Sequence, residues 1–168
     1  AGCKNDISII EAEKCIFENT KFINCNISIP RYSGSCFLKI SNSKLNNCVF
    51  MKSSIMDKFF IKSTNSEINR VLFKECYLYL YNMYSVDGRL LGFVGIFGSS
   101  RDRAAENDNN LLYLINSKIN NCRFEDCKGI DSDNVRILGH LMLIKNSKEI
   151  NNEFINCKFD SMKKEEAN

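Results

Sequence analysis

The chain has 168 residues, 44% hydrophobic and 26% charged, with a formal net charge of +3. That length permits one domain with a sizeable core. So small a charge, mixed along the length, excludes a dedicated nucleic-acid surface and gives no electrostatic reason for a membrane partner. One proline, eight glycines and no tryptophan exclude a chain of tight hairpins or low-complexity disorder.

The first residues, AGCKND, have neither an initiator methionine nor an apolar leader, so the chain reads as part of a longer protein. A regular pattern begins at residue 15. CIFENTKFINCNI (15–27) sets a small residue two before a large apolar one, in steps of five: Cys15/Phe17, Thr20/Phe22, Cys25/Ile27. The step returns as Cys48/Phe50 and Ser53/Ile55, then as Val71/Phe73 and Cys76/Leu78. INNCRFEDC (119–127) continues it with Cys122/Phe124 and Cys127, although Gly129 takes the large position; Asn152/Phe154 and Cys157/Phe159 close the series.

A longer period overlies the short one. The pair Asn-Ser occurs at 42, 65, 116 and 146, and a phenylalanine stands seven residues after each serine: Phe50, Phe73, Phe124 and Phe154. Five before each serine the residue is apolar: Leu38, Ile61, Leu112 and Met142. Cys15 takes the serine position of the first unit, so successive units are offset by 28, 23, 51 and 30 residues.

Apolar residues two apart point to one side of a short strand. No unit of this size buries its apolar face alone, but stacked units bury a continuous column. The pattern therefore predicts an all-β solenoid of about five to six coils over 1–168, with an insertion at approximately 96–110. GRLLGFV (88–94) resembles VRILGHL (135–141) and reads as coil wall, whereas SSRDRAAENDNN (99–110) reads as an exposed loop. Solenoid ends expose strand edges, so SMKKEEAN (161–168) is expected to cap or fray, and a homodimer through an uncapped end is a predicted contact.

At these residues the chain resembles pentapeptide-repeat proteins, whose unit places a small residue two before a central Leu or Phe. The resemblance implies a right-handed parallel β-helix. FLKISNS (37–43) and LLYLINS (111–117) fall outside the five-residue step and are similar to the longer strands of pectate-lyase-like β-helices.

The alternating frame points Cys15, Phe17, Phe22, Cys25, Cys48, Phe50, Phe73, Cys76, Cys122, Phe124, Cys127, Phe154 and Cys157 into the core, where a thiol acts as a small hydrophobe. Nine cysteines stand with one histidine and no C-x₂-C pair, so no metal or cofactor is expected. The odd count favours reduced thiols and a cytoplasmic setting. His140, inside ILGHLMLI, lacks the second group that acid–base catalysis needs, and no catalytic residue is assigned. Asn46, Asn69 and Asn120 form one column and Asn42, Asn65, Asn116 and Asn146 another. Both are expected at turns, with glycan binding by exposed members as the functional alternative. In the 119–127 unit, Arg123, Glu125 and Asp126 should face water.

The function expected is a non-enzymatic protein-binding or scaffold module without nucleic-acid or membrane partners. Its partner would be a protein or a neighbouring domain of the same chain. The insertion and an outer β-face supply the contact surface, with Arg89, Phe93, Phe97, Arg101, Asp102 and Arg103 as candidate contacts, since loops leaving a solenoid often form its binding face. A carbohydrate-active or carbohydrate-binding β-helix is the alternative.

Overall fold

The five-residue step becomes three strand residues and two corner residues. The computed structural model describes residues 8–28, 36–56, 59–80, 110–131, 137 and 139–165. The first coil runs through β1 (Ser8–Glu13), β2 (Ile16–Glu18), β3 (Lys21–Ile23) and β4 (Asn26–Ser28). The second is β5 (Cys36–Ser41), β6 (Lys44–Asn46), β7 (Val49–Met51) and β8 (Ser54–Met56). The third is β9 (Phe59–Thr64), β10 (Glu67–Asn69), β11 (Leu72–Lys74) and β12 (Tyr77–Leu80). The fourth is β13 (Asn110–Ile115), β14 (Lys118–Asn120), β15 (Arg123–Glu125) and β16 (Lys128–Asp131). A fifth comprises β17 (His140–Lys145), β18 (Lys148–Ile150) and β19 (Glu153–Ile155), and β20 (Ser161–Glu165) begins a sixth.

Equivalent strands stack into four sheets: β1-β5-β9-β13-β17-β20, β2-β6-β10-β14-β18, β3-β7-β11-β15-β19 and β4-β8-β12-β16. Each pairing between them is parallel. The chain is an all-β parallel β-helix with four faces, one per sheet. β9 to β12 pair directly with β13 to β16, so the register places no further coil between them. Residues 88–94 and positions 96–109 of the expected insertion lie outside the described residues, whereas Asn110, expected to end the insertion, is corrected to the first residue of β13, buried by the parallel pairing with β17.

Corners explain the asparagines. The first corner residue has φ between 46° and 54° at Lys14, Asn42, Asn65, Asn116 and Asn146, and the next two corners repeat this at Asn47, Asn121, Asp126 and their equivalents. Left-handed backbone costs most L-residues roughly 1–2 kcal/mol, and the short polar side chain of Asn visits it more readily. The corners also carry the inter-coil ladder onward: Asn42 N–H donates to Thr64 O at 3.1 Å, and Asn65 N–H to Ile115 O at 3.0 Å.

The second corner residue is small and turns inward. Ser43 Oγ donates to Ser41 O at 2.7 Å and accepts the N–H of Cys15 at 3.0 Å from the preceding coil. Ser66 and Ser117 repeat this along the same corner. At the following corners a thiol takes the position: Cys48 Sγ reaches Asn46 O at 3.4 Å, and Cys127 Sγ reaches Phe73 O at 3.4 Å. A group that small fits the tube and still satisfies carbonyls left over by the bend.

Inside, Phe22, Phe50, Phe73, Phe124 and Phe154 form one file with ring centroids 4.6, 5.2, 4.7 and 5.3 Å apart. Leu45, Ile68 and Ile119 file beside them, fully buried. Cys15 and Phe154, expected in the core, are corrected: Cys15 is exposed and Phe154 is 38% exposed. Phe17, Phe22, Cys25 and Cys157 are half-buried. The physical reason is common to all six, since they belong to the first or fifth coil and have a full described coil on one side only. Glu149 stands in register with Ile119, so a charged residue enters the apolar file where the fifth coil nears the end of the stack.

Candidate functional site

The thiols are the first chemical groups to test. All eight described cysteines are free. Burial pushes Cys122 up to about 11 and raises Cys36. Cys157 is raised by its hydrogen bond with Cys127 and then by burial. For Cys127, the bond with Cys157 pulls downward, but the bond with Cys76 and burial together outweigh it. Thiols held protonated are poor nucleophiles and poor ligands, and among the described residues no three His, Cys, Asp or Glu gather as a metal site.

His140 packs at the start of β17, 8% exposed, in register with the fully buried Asn110. Desolvation lowers its pKa, the Lys164 ammonium adds to that and Asp160 opposes it. Among the described residues, His140 Nδ1 and both polar side-chain atoms of Asn110 have no hydrogen-bond partner. Buried orphans of this kind are a local cost.

The two asparagine columns behave differently. Asn46, Asn69 and Asn120 end β6, β10 and β14 and are strand residues, which corrects their expected place at a turn. The left-handed residue is the next one, Asn47, Arg70 or Asn121. Their amides interlock: Asn69 Nδ2 donates to Asn46 Oδ1 at 3.1 Å, Asn120 Nδ2 to Asn69 Oδ1 at 3.0 Å, and Asn46 Nδ2 to Glu18 Oε1 at 3.1 Å. Asn42, Asn65, Asn116 and Asn146 are exposed corner residues. Among the described residues, no hydrogen bond engages their side-chain amides, and all four residues are exposed.

Those four corners line a shallow groove of ≈ 650 Å³ that follows the stack axis. Its opposite lip is the outward column of the second sheet, where Lys44, Glu67, Lys118 and Lys148 stand in mutual register. Lys44 Nζ lies 3.9 Å from Glu67 Oε2, and Asn120 Nδ2 donates to Glu67 Oε1 at 3.3 Å. Lys118 and Lys148 are exposed on adjacent rungs, and no described carboxylate pairs with either. The triplet Asn-Ser-Lys at 42, 116 and 146, with Asn-Ser-Glu at 65, was the sequence signal for this groove, and only its first two residues entered the repeat.

On another side, alternation turns Ile23, Val49, Met51 and Leu72 outward around the Phe22, Phe50 and Phe73 file. Ile23 pairs with Met51 and Val49 with Leu72, giving an apolar strip over the first three coils of the third sheet, bounded in the same columns by Lys21 and Lys74. Tyr77 and Tyr79 follow on the fourth sheet, their rings 6.2 Å apart, with Lys128 Nζ 5.5 Å from the Tyr77 ring. Of the expected water-facing residues of the 119–127 unit, Arg123 and Glu125 form an ion cluster, with Glu125 meeting Lys74 at 3.3 Å and also Arg123, while Asp126 Oδ1 accepts from Asn156 Nδ2 at 2.6 Å. Hydrogen bonds from Lys74 and then Arg123 hold the Glu125 carboxyl below the usual range. The candidate contacts Arg89, Phe93, Phe97, Arg101, Asp102 and Arg103 all lie outside the described residues.

No family model and no curated protein matches the chain. Among solved structures, the chain is weakly similar to HetL, a pentapeptide repeat protein involved in heterocyst differentiation regulation from the cyanobacterium Nostoc. Identity is 8% and the TM-score 0.15, over 95% of this chain and 89% of that one. No described helix is long and apolar enough to cross a membrane.

Proposed function

We propose that this chain is a non-enzymatic protein-binding or scaffold module, whose partner docks on the outer faces of the third and fourth sheets. The observation that carries this reading is the outward strip of Ile23, Val49, Met51, Leu72, Tyr77 and Tyr79 on a rigid parallel sheet. Apolar side chains on an outward pleat, joined by tyrosines, have the composition of a protein interface rather than of a solvated wall. The buried thiols Cys36, Cys122 and Cys127, held protonated by the fold, add support, because a protonated thiol is a poor nucleophile.

The test is a Leu72→Lys/Tyr79→Ser variant. A partner captured from native extract is identified and purified, and its binary Kd measured against both proteins. We expect a loss of at least about tenfold with the fold retained, as for removal of central anchors. An unchanged Kd with a 99–109 deletion that abolishes binding would move the contact to the insertion.

A carbohydrate-directed reading finds support in the amide-lined groove. Glu67 is the single carboxylate among the groove's described lining residues, whereas glycoside hydrolysis commonly uses a pair. Binding without cleavage is therefore the form of that reading the groove favours, and a panel of polysaccharides showing no turnover is the expected result.

A further inference from the structure

We propose that the first-corner groove binds an extended acidic glycan, its carboxylate or sulfate groups held between Lys118 and Lys148 and its hydroxyls by the amides of the corner asparagines. The site lies on a different side from the protein-docking strip, and the inference rests on the carbohydrate-binding reading of this groove, which it deepens by naming the ligand class.

Three observations converge. Asn42, Asn65, Asn116 and Asn146 repeat one donor–acceptor group along four rungs, about 4.8 Å apart as hydrogen-bonded strands require. Unlike Asn46, Asn69 and Asn120, they do not satisfy one another, so the whole column is open to a ligand running along the axis. Second, the groove concentrates positive charge: its lining holds Lys44, Lys118 and Lys148 against Glu67 alone, in a chain whose net charge is only +3. Third, that charge is polarised. Glu67 stands between Lys44 and Lys118 in register and pairs with Lys44, while Lys118 and Lys148, neighbours on the fourth and fifth coils, form no ion pair with a described carboxylate. An anionic group is favoured there and disfavoured beside Glu67, where a hydroxyl donor fits.

The geometry also selects among polymers. An extended peptide advances roughly 3.3 Å per residue, with same-side groups twice that apart, and so falls out of step with the rungs. Single-stranded nucleic acid depends on aromatic platforms for its bases, and the groove is lined by Asn, Ser, Lys and Glu without an aromatic ring. A chain of hydroxylated rings with periodic acids matches both the amides and the ammonium pair.

Calorimetry with oligogalacturonate and with a sulfated oligosaccharide tests the proposal. Neutral malto-oligosaccharide, poly-glutamate and a single-stranded oligonucleotide serve as comparisons. At least one acidic sugar should bind, with affinity falling as salt rises. Lys118→Gln/Lys148→Gln should weaken binding by about tenfold or more, since each charge-assisted contact is worth that order. Asn116→Gly/Asn146→Gly keeps the left-handed corners and removes the amides, and it should weaken binding severalfold at unchanged melting temperature. Tyr79→Ser should leave sugar binding intact. The proposal is overturned if neither acidic sugar binds, if the lysine variant binds them as wild type does, or if poly-glutamate or the oligonucleotide binds more tightly.

Discussion

Phe73 and Phe154 occupy the same position of the same repeat, in register through Phe124, yet Phe73 is fully buried and Phe154 is 38% exposed. The rings stack almost alike, 4.7 Å from Phe73 to Phe124 and 5.3 Å from Phe124 to Phe154. What differs is the number of neighbouring coils, since Phe73 has rungs on both sides and Phe154 has a full rung on one. In a solenoid, burial is a nearest-neighbour property and the repeat motif states only direction. The middle of the stack therefore holds the stability, and the ends are tuned by polar replacements such as Glu149 and Asn152. Asn152 Oδ1 accepts Cys122 N–H at 2.9 Å in place of a thiol or hydroxyl.

The largest expected difference breaks this comparison directly. Phe73→Ala should cost about 3–5 kcal/mol, the usual price of emptying a packed aromatic site, and Phe154→Ala less than half as much. Equal losses in urea denaturation would contradict the nearest-neighbour account.

Alkaline titration sharpens it next. Cys122 has its pKa raised from 9.0 to about 11 in the fold, so the unfolded chain ionises first. Its contribution is complete below pH 9 and is lost as pH climbs toward 11. A shift of that size corresponds to on the order of 2–3 kcal/mol. Cys122→Ser should flatten the fall of stability across that window, and an unchanged slope in urea denaturation between pH 8 and about 11 would contradict it.

Corner strain is a smaller effect. Asn65→Ala should lose about 1–2 kcal/mol because its φ of 48° suits alanine badly, with Asn65→Gly close to neutral. The same pair of changes at Asn151, in the fifth coil, should differ by less if the last rung relaxes. Smallest of all is Arg123→Ala. Its ion pairs with Glu125 and Glu153 are solvent-exposed, and its removal should shift stability by under about 1 kcal/mol. A larger loss would show that the outer ion cluster clamps the coils together.

The proposed groove shows how far one column of residues can be read. Asn42, Asn65, Asn116 and Asn146 were visible as a column in the sequence, but so were Asn46, Asn69 and Asn120, and the local difference is only the residue that follows: a small serine after the first set, Asn47, Arg70 or Asn121 after the second. One column lies at left-handed corners with free amides, the other at strand ends where amides of successive coils meet. A one-residue difference in phase decides which chemistry is available. Lys118 and Lys148 follow the serine of the Asn-Ser pair in plain view. Their common lip appears only once residues 30 apart in sequence are set side by side.

By itself the sequence determined the five-residue step, the inward file of phenylalanines and small residues, and the parallel coiled path, because alternation within three-residue strands is a local property. Tertiary structure decided the rest. It set the third and fourth coils against each other across 51 residues, left Cys15 and Phe154 uncovered at the ends, and made one asparagine column a closed ladder and the other an open groove. Those outcomes depend on which rung lies above and which below, and that is a long-range fact no repeat unit carries within itself.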